Sequence, residues 1–135
     1  MSGITDLSEL IASMEPELHD QEFVFVVLPG GAYGDGADLR PIGAFGEKEG
    51  LTLIVPAERA RSAGLRDDDI FRMITLTVHS SLSAVGLTAA VAHALTDRGI
   101  SANVVAAFHH DHVFVPAERA EEALAALRAL SLSAA

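Results

Sequence analysis

Apolar and polar positions alternate most clearly from Ile70 to His79, where Phe71, Met73, Thr75 and Thr77 interleave with Arg72, Ile74, Leu76 and Val78. β-Branched and other apolar residues on both faces predict a strand in the middle of a sheet. From Leu82 to Arg98 the period changes to that of a helix, with Ser80 and Ser81 as N-cap residues and Gly99 as a left-handed stop. This helix is apolar nearly all round: Val85, Ala89 and Ala92 form one stripe and Leu87, Val91 and Leu95 another. The second stripe is expected to face outward, against the other half of the chain or a second copy. Ala102 to Phe108 reads as a strand, His109-His110-Asp111 as a polar turn and His112 to Val115 as a further strand. A last helix is expected from Pro116 to about Leu130, giving the order β-α-β-β-α.

The first half is less regular. A helix is expected at Leu7 to Met14, then strands at Glu22 to Leu28, near Ile42 to Phe45 and at Leu51 to Val55. A short helix ends at Gly64. Between the first two strands lies the loop Pro29 to Asp38, with four glycines and no helical period. It reads as a flexible turn, able to act as a lid over a ligand.

The two halves are tied by a literal repeat. Val55-Pro56-Ala57-Glu58-Arg59-Ala60 recurs as Val115-Pro116-Ala117-Glu118-Arg119-Ala120, each copy following a β-type run and opening a helix with Pro in the first turn. The polar segment Arg66-Asp67-Asp68-Asp69 separates the copies, so two modules are expected, residues 1–67 and 68–135.

Composition narrows the chemistry. The absence of cysteine removes disulfides, thiolate metal sites and thiol nucleophiles, and fits a reducing compartment; the cytoplasm is expected. Nineteen acidic against nine basic residues give a formal charge of -10, which opposes binding to nucleic acid and to anionic membrane. There is no long apolar run to span a bilayer, and the N-terminus lacks the basic flank of a targeting segment.

The β-α-β-β-α order with Gly99-Ile100-Ser101, the run Ile74 to Leu82, and the run Phe108-His109-His110-Asp111-His112-Val113-Phe114-Val115-Pro116 together resemble the ACT domain. The likeness is to small bacterial proteins with paired ACT modules and to the ACT modules of cytosolic arginine sensors. It implies an α/β (α+β) fold of two ferredoxin-like modules, antiparallel sheets with helices on one face. It also implies a non-catalytic regulatory protein that binds a free amino acid, often as a homodimer, with no cofactor. The alternative is an interaction module that regulates a partner enzyme without a ligand.

The end of the first strand of the second module and the turn before its third strand should meet at one end of the sheet. The expected ligand site is therefore Ser80, Ser81, Gly86, Phe108, His110 and Asp111. Helix-start N–H groups face a carboxylate, Asp111 faces an ammonium group, and Phe108 supplies an apolar wall on an exposed turn. Four histidines (His79, His109, His110, His112) raise a metal site, but consecutive strand residues diverge and structural zinc usually takes four ligands. No metal ligand is assigned, and a His/Asp metal-binding protein is the less favoured alternative. Ser80 or Ser81 beside His79 does not make a nucleophile, because no nucleophile elbow surrounds them. Gly30-Gly31-Ala32-Tyr33-Gly34-Asp35-Gly36 lacks the Lys-Ser/Thr ending of a phosphate loop.

Overall fold

A computed structural model describes residues 6–79 and 81–134. The elements run α1 (Leu7–Ala12), β1 (Pro16–Leu28), β2 (Gly43–Glu47), β3 (Gly50–Pro56), α2 (Ala57–Ser62), β4 (Phe71–Leu76), α3 (Leu87–Thr96), β5 (Asn103–Ala106), β6 (Asp111–Pro116) and α4 (Ala120–Ala134). Three-residue 3-10 turns, Ala37–Leu39 and Ala117–Arg119, stand before β2 and α4.

The chain forms two compact units. One comprises the chain up to Asp20 together with everything from Arg72 on; the other is Gln21–Phe71. In the first, strand order is β1-β4-β6-β5, so β4 is central, as its two-sided apolar pattern requires. Ile74, Leu76 and Val78 meet Val113 and Val115 of β6 beneath α1, α3 and α4. Leu10, Met14, Leu95 and Leu127 fill this core and are completely buried. α1 thus packs with the C-terminal half, and Asp6 caps it by accepting a 2.9 Å hydrogen bond from the Glu9 N–H.

In the second unit the order is β2-β3-β1, with β3 antiparallel to both neighbours. Val24 and Val26 of β1 and Leu51, Leu53 and Val55 of β3 face Leu39, Ala57 and Ala60. No helix separates β1 from β2 apart from the 3-10 turn. The glycine loop is not a loose lid: the Tyr33 hydroxyl accepts a 2.7 Å hydrogen bond from Gly46 N–H, and Gly36 (φ 77) packs against Leu53 and Leu28. A side chain at Gly36 would meet both leucines while holding a backbone conformation that L residues avoid.

The sequence repeat is a structural repeat. Pro56 has φ -55, ψ 133 and Pro116 φ -53, ψ 133, each at the end of a strand and each the N-cap of the helical segment after it. The copies part after the repeated letters. Gly64 (φ 72) ends α2 early, whereas Ala120 onward carries an apolar face and continues as a 15-residue helix.

Two expectations about α3 are corrected. The helix begins at Leu87, not Leu82, and Gly86 (φ 103) is its N-cap, with no side-chain cap bond. Leu87, Val91 and Leu95 lie in the core of the first unit; the outward face carries Thr88, Ala89 and His93.

Candidate functional site

β4 ends at Leu76, and the next residue bonds to the link between α1 and β1: the Thr77 N–H donates to the Met14 carbonyl at 3.0 Å, and its hydroxyl donates to the Glu15 carbonyl at 2.9 Å. After Val78 a tight turn forms around Ser81. Its Oγ accepts from Ser83 N–H at 3.1 Å and its carbonyl from Ala84 N–H at 2.9 Å. Local serine bonding of this kind competes with helix, and the left-handed Gly86 completes the break. The segment 81–86 is therefore a loop against the first turn of α3.

That loop, α3 and the ends of β5 and β6 enclose a cavity of about 530 Å³. Ser81, Gly86 and Asp111 of the expected site all line it. Ala89, Ala92 and Ala106 also line it, and their short side chains leave the space open. The N–H groups at the start of α3 lack intrahelical partners by construction, since the first helical bond is Ala90 N–H to the Gly86 carbonyl at 2.9 Å. Asp111 is the one ionisable residue in the lining and is only 9% exposed, not on an exposed turn as expected.

The other expected residues are placed differently. Phe108 is 69% exposed, stacks edge-on against His109 at 5.0 Å and does not line the cavity. His110 is also outside the lining; its ring lies 6.5 Å from that of His112. Ser80 lies outside the described residues. The expected meeting of the β4 end with the β5–β6 turn is present, as the His79 and His109 rings are 5.2 Å apart. Val85, Thr88, Ala89, Ala92 and Ala106 were missed. Once the helix start is moved to Leu87, Thr88, Ala89 and Ala92 can be read from its small-residue face; Val85 in the preceding loop and Ala106 at the end of β5 lie off the helix, and its pattern does not mark them.

On the sheet, His19, Thr75 and His112 form a chain across three strands: His19 Nε2 is 2.8 Å and His112 Nδ1 3.0 Å from Thr75 Oγ1. One hydroxyl proton serves two rings, so one ring accepts from Thr75 and the other must present an N–H. Burial holds the His112 imidazole below its usual range, with the positive charges of His110 and His19 adding to the effect and Asp111 opposing it. Among the described residues no three His, Asp or Glu side chains are grouped as metal ligands. No helix of the described residues is long and apolar enough to cross a membrane. A larger cavity of about 720 Å³ lies elsewhere in the first unit, beside Arg72.

An ACT-domain profile matches residues 2–72 and a second ACT-domain profile matches residues 70–129. A Vibrio cholerae protein of unknown function, described as a possible transport protein, is 54% identical, with a TM-score of 0.81 over 88% of this chain and 91% of its own. An Agrobacterium tumefaciens protein (15% identity, TM-score 0.62) covers 86% of this chain and 87% of its own. The regulatory subunit of aspartate kinase from Thermus thermophilus (16% identity, TM-score 0.57) covers 85% and 95%. These last two are similar in fold. No protein among the curated sequences matches the chain.

Proposed function

The chain belongs to the ACT-domain family, and from that premise we propose that it is a non-catalytic regulatory protein that binds a free amino acid at the start of α3. The observation that carries this reading is the cavity of about 530 Å³ between Ser81, Gly86 and Asp111. Unpaired N–H groups and the positive end of a ten-residue helix suit a carboxylate, and the buried Asp111 suits an ammonium group. Small apolar side chains line the remainder. In this reading Phe108 and His110 belong to the rim of the same site, and Ser80 is kept as a ligand residue on sequence grounds alone. The chain, in the same reading, carries two ACT modules with sequence bounds 1–67 and 68–135, of which the stretch up to Asp20 packs with the second, and the protein works as a homodimer in the cytoplasm, without cofactor, metal, nucleic acid or membrane. Sedimentation of the purified chain checks the dimer.

A thermal-shift screen against the standard amino acids identifies the ligand, because a molecule that binds only the folded state raises its melting temperature. Calorimetric titration then compares wild type with Asp111→Asn, which keeps the side-chain shape. A loss of about 1.5–3 kcal/mol in binding is expected, the scale of a hydrogen bond to a charged group. Equal affinities would remove Asp111 from the site.

A further inference from the structure

Arg72 stands apart from the α3 site. Its side chain is 18% exposed, and its Nε donates to the His19 carbonyl at 3.0 Å, which fixes the guanidinium against β1. The two terminal nitrogens are held only loosely, at 3.5 Å from Asp20 Oδ1 and 3.6 Å from Glu121 Oε2, both on solvent-exposed side chains. Ion pairs with exposed partners at such distances contribute little, whereas a mostly covered guanidinium fork is suited to a planar carboxylate held in bidentate fashion. Beside the fork runs the cavity of about 720 Å³, between the start of β1 and α4, walled by Leu18, Leu124 and Leu132.

We propose that this groove is a second small-molecule site, for a zwitterion with an apolar side chain, whose carboxylate sits on Arg72 and whose ammonium faces Asp20 and Glu121. The two surface carboxylates already lie where an outside carboxylate would approach the fork. A pure anion meets a lining in which Glu15, Glu17, Asp20 and Glu121 outnumber Arg72 and Arg128. A pure cation leaves the fork as loosely satisfied as before. A dipolar molecule resolves both: its carboxylate takes over the fork and frees Asp20 and Glu121 for its own ammonium. The leucine wall selects an apolar side chain.

The test uses the full chain labelled with nitrogen-15 and three probes: L-leucine, L-leucinamide, which lacks the carboxylate, and 4-methylpentanoate, which lacks the ammonium. L-Leucine is expected to shift the Asp20 amide and the Arg72 Nε–H resonance, and each truncated probe to bind at least roughly tenfold more weakly, about 1.4 kcal/mol. Arg72→Gln should abolish the shifts. Should that variant fold poorly, Glu121→Lys, at an exposed helical position, should weaken L-leucine by a similar factor. Asp111→Asn should leave them intact, so failure here is separable from failure of the α3 site. Unmoved Asp20 and Arg72 resonances, equal binding of 4-methylpentanoate, or an unchanged L-leucine affinity in Glu121→Lys would each overturn the proposal.

Discussion

Thr75 shows how one hydroxyl can organise a sheet. It is 9% exposed and sits between His19 and His112, so its replacement by Val keeps the shape but leaves two ring nitrogens without their partner. Thr75→Val is expected to cost about 1–3 kcal/mol, read from the midpoint of urea unfolding, since unsatisfied polar groups carry a desolvation penalty. An unchanged midpoint would mean that water replaces the hydroxyl at no cost. The same cluster predicts a pH dependence. Because the folded state holds the His112 imidazole below its usual value near 6.5, the unfolded chain takes up the proton first as pH falls. The contribution is fully present above about pH 7 and is lost as pH drops through 6.5 toward the depressed folded value. Urea midpoints measured from pH 8 to 5.5 should fall, and His112→Gln should flatten that part of the curve.

The elements report which of their faces the fold uses, and α3 is the clearest case. Leu95 is fully buried, so Leu95→Ala should cost about 2–5 kcal/mol. His93→Ala on the outward face should change stability by no more than about 0.5 kcal/mol. A reversed order in thermal or urea unfolding would restore the outward assignment of Leu95. Gly86→Ala should also destabilise, by about 1–2 kcal/mol, because its φ is 103 and a Cβ would lie 3.0 Å from Leu7 Cδ2. Much of this was legible beforehand. Strand β4, the Gly99 stop and the β-α-β-β-α order follow from periodicity and turn residues, and the Val-Pro-Ala-Glu-Arg-Ala repeat marked both strand-to-helix joints. The start of α3 did not, because Ser80 and Ser81 look like caps and an apolar run follows them. The Ser81 turn and Gly86 prevail over that propensity. Which stripe faces inward was hidden for a related reason: both are apolar, and only the packing of α1 and α4 selects between them. In the site, Asp111 was found by its chemistry, but its burial follows from its place at the head of β6, which no local pattern reports.

Charge acts on the whole molecule. Nineteen acidic and nine basic residues leave a formal charge of -10, and self-repulsion of that size favours expansion. Against it stand short ion pairs, Arg61–Asp67 at 2.8 Å, Arg66–Asp68 at 2.6 Å and Arg119–Glu122 at 2.8 Å. All six side chains are more than a third exposed, so solvent screening leaves each pair little net stabilisation. Range decides which term salt removes first. At physiological ionic strength the Debye length is about 8 Å, so repulsion between distant carboxylates is largely screened while contacts near 3 Å persist in part. Raising sodium chloride from low to physiological ionic strength at neutral pH should therefore stabilise the protein by on the order of 1 kcal/mol, or about 4 °C in melting temperature for a chain of this size. The measurement is a set of thermal melts at fixed protein concentration. A melting temperature that falls over the same range would mean that the surface pairs outweigh the net repulsion.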